Sequence, residues 1–252
     1  MTAAAPSVLV VQHTKNGGAR RLGDWLNDDG LKLDVVPAFD GSALPARLEH
    51  DAVVVLGGGY LPDDDQRAPW LRQTRALVAE ALGRDRPILG ICLGGQLLAQ
   101  VAGGTVEAET GLPENGSTPI HMRAEAHDDP LFHDLPDVVP AIEHHEDAIT
   151  ALPAEAVWLA SSERCPYQAF RYGRSAWGVQ FHPEVTPDRI LEWNADKLRR
   201  QGFDPQELYR QALTDDAASA RHWRTVASRF ADVVHASTDT SAAAEEKRED
   251  HP

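Results

Sequence analysis

Two cysteines, four lysines and no long apolar run set the first limits on this 252-residue chain. Cys92 and Cys165 lie far apart and make no disulfide framework, so a reducing cytoplasm is the expected compartment. Residues 1–6 are small and lack the basic start and apolar core of a signal peptide, and a flexible N-terminal tail is expected there. Nothing approaches the roughly 20 apolar residues of a membrane span, so no membrane partner is expected. Cations are scarce: 24 Lys and Arg against 39 Asp and Glu leave a net charge of -15, with no basic stripe interleaved with aromatics. A phosphate backbone would be repelled, which argues against nucleic acid as a partner. Part of the acidity sits in short runs such as Asp63-Asp64-Asp65, expected as a solvated loop or as a cap for the helix after it.

The apolar share, 42%, suffices for one full core, and the length suits one domain with an appendage rather than two catalytic domains. Strand-like runs at 7–11, 31–36, 52–56 and 87–91 alternate with helix-like stretches at 20–27, 70–82 and 97–102. Such alternation predicts an α/β fold with a mostly parallel central sheet flanked by helices, whose ligands bind at the carboxyl ends of the strands. Beyond Gly103 the pattern shortens into strands and turns, including a hairpin through Tyr172-Gly173-Arg174-Ser175. Pro187 then opens an amphipathic helix carrying Ile190, Leu191, Trp193 and Leu198. The expected organisation is a domain over 7–200, a C-terminal helical extension over 201–236 made of two helices (205–213 and 217–234), and a polar disordered tail over 237–252.

Chemistry concentrates in Gly90-Ile91-Cys92-Leu93-Gly94-Gly95-Gln96. A cysteine between glycines, where a strand turns sharply into a helix, is built as a nucleophile elbow: small residues relieve crowding and lift the thiol out of the sheet. The helix behind it favours a thiolate, and the thiol is expected to be exposed. A buried structural cysteine is the commoner reading of such a residue, yet G-x-C-x-G-x-Q arises by chance in roughly one chain per thousand of this length. A second segment, Phe181-His182-Pro183-Glu184, supplies a base and a carboxylate to orient it. Residues two apart in extended chain share a side, so Glu184 can reach the His182 ring while Pro183 stiffens the link. Cys92, His182 and Glu184 thus read as a triad.

These residues, with the glycine run after Val53-Val54-Val55-Leu56, resemble the class I, or triad, glutamine amidotransferases over roughly residues 8–193. Within that family the chain is similar to the stand-alone domains that look like the glutaminase part of GMP synthetase. Pro69-Trp70-Leu71 and Cys165-Pro166-Tyr167-Gln168-Ala169-Phe170 are supporting local matches. The resemblance implies a flavodoxin-like fold and attack of Cys92 on the side-chain amide of glutamine. It further implies an oxyanion site from the N–H of Gly58 or Gly59 with that of Leu93, and a substrate held by Gln96 and by backbone around His144, His145, Glu146 and Asp147. Two positions depart from the pattern: Glu146 stands where synthetase-linked members commonly carry glycine, and Gly59 where close stand-alone relatives often carry proline. Glu146 would narrow the pocket or meet an amino group of a larger γ-glutamyl substrate.

No cofactor and no metal are expected. Adjacent residues in His144-His145-Glu146-Asp147 point oppositely on a strand, and Gly57-Gly58-Gly59 lacks the Lys-Ser/Thr of a phosphate loop. Cys165, before Pro166, is expected to be structural or a turn residue. The leading functional expectation is a glutaminase that passes ammonia to a separate synthetase subunit. The alternatives are a free-standing hydrolase of γ-glutamyl peptides or conjugates with the same triad, and a non-catalytic binding module.

Overall fold

A computed structural model describes residues 4–110 and 112–249, with side chains to residue 239. A nine-stranded sheet forms the centre. Its first half is parallel: β1 (Ser7–Gln12) lies between β2 (Lys32–Pro37) and β3 (Ala52–Val55), and β4 (Ile88–Ile91) follows. Every residue of β3 and β4 is buried, the continuous apolar run expected of a strand covered on both faces. Outside the main sheet, β5 (Thr105–Glu107) pairs with β8 (Ala148–Ala151). The main sheet continues past β4 through β11 (Ala176–Val179), still parallel, and then antiparallel through β10 (Ala169–Tyr172), β9 (Val157–Ser161), β6 (Glu114–Met122) and β7 (Val138–His145).

The two faces read out the period-two alternation of the strands. Val8 and Val10 of β1 join one core with Leu22 and Leu26 of α1 (Arg20–Asp28). Leu9 and Val11 join the other, with Leu71, Leu77 and Val78 of α2 (Leu71–Gly83) and Leu93, Leu97 and Leu98 of α3 (Leu93–Val101). The helix expected from residue 97 therefore starts four residues earlier, directly at the nucleophile.

The C-terminal third differs from expectation. Pro187–Glu192 is a 3-10 segment, and a separate α4 (Ala195–Arg200) begins after Asn194, whose side chain accepts from the Lys197 N–H; Leu191, expected on a buried face, is exposed. Two helices and a disordered tail are replaced by one helix, α5 (Pro205–Glu249), while residues 250–252 lie outside the described residues. The extension packs on the domain: Trp223, Val226, Ala227, Phe230 and Val234 of α5 complete the core on the α1 face. At the other end, residues 1–3 of the expected flexible tail lie outside the described residues, while Pro6 is buried and its carbonyl accepts from Lys32. Asp64 and Asp65 do not cap α2; they pair with Arg67 at 2.8 Å and Arg75 at 2.8 Å.

Candidate active site

The sharp turn at Cys92 is set by close packing. The N-terminal turn of α3 is pressed between strands, so a Cβ on Gly94 would lie 2.0 Å from the Val55 carbonyl oxygen, and one on Gly95 2.6 Å from that of Val179. Neither backbone can yield, which leaves glycine as the residue that fits. Cys92 itself is held at φ 51° and ψ -109°, a conformation L residues rarely adopt, with a cost of about 1–3 kcal/mol. Its N–H is fixed to the Val179 carbonyl at 2.8 Å. Expected to be exposed, Cys92 is instead only 7% accessible. The roof is Gly57, where an added Cβ would stand 2.8 Å from His182 Cε1 and 3.5 Å from Cys92 Cβ. The thiol still reaches solvent, because Cys92 lines a cavity of about 620 Å³.

His182 comes to Cys92 from the end of β11, and its N–H donates to the Ile142 carbonyl on β7 at 2.8 Å. Its Nδ1 faces Glu184 Oε1 at 2.8 Å, and the ring lies close enough to Cys92 for the sulfur to act on its charge. Burial alone would favour the neutral ring, but the Glu184 carboxylate and the Cys92 sulfur outweigh it and raise the His182 pKa well above its ordinary value. The three residues expected as a triad are thus brought together.

The remaining expected residues divide. Gly58 and Gly59 line the cavity beside Gly57; Gly58 is wedged between His13 and Leu93, whereas Gly59 has open space around it. Leu93 opens α3, where a backbone N–H has no partner within the helix. Gln96 lines the cavity, with its Nε2 donating to the Asp147 carbonyl and to Gln180 Oε1, both at 3.0 Å. The His145 side chain turns inward: Nδ1 donates to the Asp147 carbonyl at 3.0 Å, and Nε2 faces Glu114 at 3.1 Å. Glu146 does stand at the cavity wall, but its carboxylate is held by Lys197 at 2.8 Å and by Gln201. Those partners keep the Glu146 carboxyl below its usual range against the opposing effect of burial.

Several residues around the site were not foreseen. Gln180 donates from Nε2 to Cys92 Sγ at 3.5 Å, and its place two residues before His182 on an alternating strand was a usable signal. Lys15 and Asn16 come from the loop after β1, and Arg189, Trp193 and Lys197 from the chain around α4. Trp193 stacks on His144 with ring centroids 4.0 Å apart, and burial lowers the His144 pKa to about 3, so that ring is neutral. His13 beneath Gly58 is also neutral, lowered to about 4 by burial, and accepts from Trp70 Nε1 at 3.0 Å. Glu114, His145 and Cys165 offer donor atoms within 4.8 Å of one another. Glu114 is already occupied by hydrogen-bond donors, Ser162 Oγ at 2.6 Å and Gln168 Nε2 at 2.8 Å, and burial pushes the Cys165 thiol up, away from the thiolate a metal prefers.

A strained cysteine between a parallel strand and a helix, with a histidine and a carboxylate at the same sheet edge, defines the class of α/β proteins equipped for acyl transfer through a thioester. Comparison makes this specific. The family described as "Glutamine amidotransferase class-I" matches residues 21–195. The chain is 35% identical over 173 residues to a subunit of the glutamine-hydrolysing GMP synthase of Methanopyrus kandleri, covering 64% of this chain and 86% of that one. It is 34% identical over 186 residues to the glutamine-hydrolysing GMP synthase of Aeropyrum pernix, where the match spans 73% of this chain but only 34% of the relative. A crystal structure of a glutamine amidotransferase from Thermotoga maritima superposes with a TM-score of 0.80 at 27% identity, covering 91% of this chain and 99% of that one. The chain belongs to the class I glutamine amidotransferase family.

Proposed function

We propose that this chain hydrolyses the side-chain amide of glutamine through a glutamyl thioester on Cys92 and supplies the ammonia to a separate synthetase subunit. In this reading Cys92 Sγ attacks the amide carbon. The developing oxyanion is held by N–H groups of the Gly58–Gly59 loop together with Leu93. His182 passes its proton to the leaving ammonia while Glu184 fixes the ring, and water then cleaves the thioester, with His182 accepting its proton, to release glutamate. The observation that carries the reading is the meeting of Cys92, His182 and Glu184 at one wall of one cavity, from β4, the end of β11 and the turn after it. Similarity to a separate GMP synthase subunit supports a partnered role, and two free cysteines suit a reducing cytoplasm.

A second reading, hydrolysis of γ-glutamyl peptides or conjugates, is favoured by one observation: about 620 Å³ lies in the range that takes drug-sized ligands, far more than one glutamine fills. The test for both is release of glutamate from glutamine and from a set of γ-glutamyl peptides by the purified protein, alone and with a separately purified GMP-synthase-type synthetase subunit. Glutamine turnover that rises on adding the synthetase supports the first reading; a peptide preferred by the isolated protein supports the second. No release from any of them would reject both.

A further inference from the structure

Directly behind the candidate active site lies a buried acid that the chemistry above does not use. Glu143 is on β7, one residue after Ile142, whose carbonyl anchors the backbone of His182. It is fully buried, and neither of its carboxyl oxygens has a hydrogen-bond partner among the described residues. His145 Nε2 approaches its Oε2 to 3.5 Å, beyond a well-formed hydrogen bond. The titratable groups bearing on it from the elements around it are Glu114 on β6, His145 on β7, and Cys92 and His182 of the site, with Cys165 and the amide of Gln168 closing the cluster.

Counting hydrogens constrains this cluster. His145 Nδ1 faces a carbonyl, which only accepts, so Nδ1 carries a hydrogen. Glu114 receives donors from Ser162 and Gln168, the arrangement of an ionised carboxylate. If His145 Nε2 also carries a hydrogen, it satisfies Glu114 at 3.1 Å and the pair balances in charge. If it does not, only a hydrogen on a carboxyl group can fill the contact. In the first arrangement the one hydrogen near Glu143, on His145 Nε2 at 3.5 Å, is already taken by the closer Glu114, and in the second there is none, so a second full negative charge on Glu143 would be buried without a donor of its own, a cost far larger than that of a neutral acid. Burial, followed by the negative charge of Glu114, pushes the Glu143 carboxyl in the same direction, well above its ordinary range.

We propose that Glu143 is a positioning residue that acts as a neutral carboxylic acid, preserving the β7 backbone from which His182 is hung over Cys92. Ionisation would put an unpaired anion beneath Ile142 and loosen that anchor. The inference rests on the reading of Cys92 and His182 as the reacting pair, and it adds a group that touches neither substrate nor the reacting atoms. Its linkage has a definite sign. A carboxyl whose folded-state value is raised stabilises the fold fully below its ordinary value of 4.5, and that contribution is lost as pH rises through the raised value.

The test is infrared difference spectroscopy of the full chain against Glu143→Gln at pH 7, with unfolding temperatures and kcat measured across pH on both. The expected result is a protonated-carboxyl C=O stretch present in the parent and missing from the variant. The parent's unfolding temperature should fall relative to Glu143→Gln as pH rises, with kcat falling in parallel. Glu143→Gln should rescue, to within about threefold of the parent kcat at pH 7, an activity that Glu143→Ala reduces at least tenfold. Absence of the difference band, a pH-independent gap in unfolding temperature, or a Glu143→Gln chain that does not fold would overturn the proposal, since a neutral isostere can make every contact a neutral acid makes. Loss of activity in Cys92→Ala tests the underlying catalytic reading separately, because the infrared band does not depend on turnover.

Discussion

Arg21 Nε donates to the backbone carbonyl of Pro183 at 2.8 Å, while its Nη1 pairs with Asp216 at 2.8 Å. One guanidinium on α1 therefore ties the turn between His182 and Glu184 to α5, the helix that closes the core. The side chain is only 10% accessible, so these are charge-assisted bonds in a shielded setting. Arg21→Ala is expected to cost about 1–3 kcal/mol of stability. It should lower kcat about tenfold with a smaller change in KM, because it releases the turn that sets the His182 to Glu184 geometry. Denaturant unfolding and steady-state kinetics on the same variant check both; a stability loss with kcat unchanged would make Arg21 structural only.

The strain at Cys92 gives a prediction in two directions. Cys92→Ala removes the nucleophile and should leave less than about a hundredth of the activity while keeping the fold. Cys92→Gly removes it equally but also relieves the positive φ, and should exceed Cys92→Ala in stability, reversing the usual penalty of glycine. A glutamine-like diazo-ketone should add to Cys92 and spare Cys165, whose thiol burial holds protonated. An adduct mapped to Cys165 would contradict the assignment.

How far the sequence carried the reading depends on how local each feature is. The elbow was legible because its signal lies within seven residues: Gly94 and Gly95, which fit against Val55 and Val179, follow Cys92 by two and three positions. His182 and Glu184 were legible for the same reason. Lys197 and Trp193 reach the cavity only through tertiary packing, and nothing adjacent to them marks that destination. The same limit explains α5. Thr214-Asp215-Asp216 reads as a polar break between helices, yet Asp215 accepts from Ser117 at 2.7 Å and Asp216 holds Arg21, so distant partners stabilise helix where local pattern suggests a loop.

The raised His182 value makes the pH profile informative. Since Glu184 is among the charges that keep the imidazolium, the parent should stay active well above pH 6.5, the ordinary value of the ring, and decline as pH climbs through the raised one. The pairing stabilises the fold over the same window and fades with it. Glu184→Gln keeps the size of the side chain but removes its charge. The alkaline decline should therefore move to lower pH, with kcat at pH 7 reduced less than in His182→Ala. An unchanged alkaline limb would show that Glu184 orients the ring without tuning it.

Glu146 offers the sharpest separation of glutamine from larger γ-glutamyl substrates. Its carboxylate stands at the cavity wall because Lys197 and Gln201 hold it there, and Gln201 is in turn fixed by Asn115 Nδ2 at 3.2 Å. Glu146→Gly removes the side chain and frees Lys197, and should shift the ratio of kcat/KM for glutamine over a γ-glutamyl peptide about tenfold toward glutamine, or about 1.4 kcal/mol of discrimination. Lys197→Ala leaves the carboxylate but removes its strongest anchor, so a wall that works by position predicts a shift in the same direction and of smaller size. If Glu146 works instead by meeting a substrate amino group, Lys197→Ala frees it for that contact and the ratio moves toward the peptide. Ratios unchanged in both variants would remove Glu146 from the specificity of the site and leave the size of the cavity as the feature that admits the larger substrate.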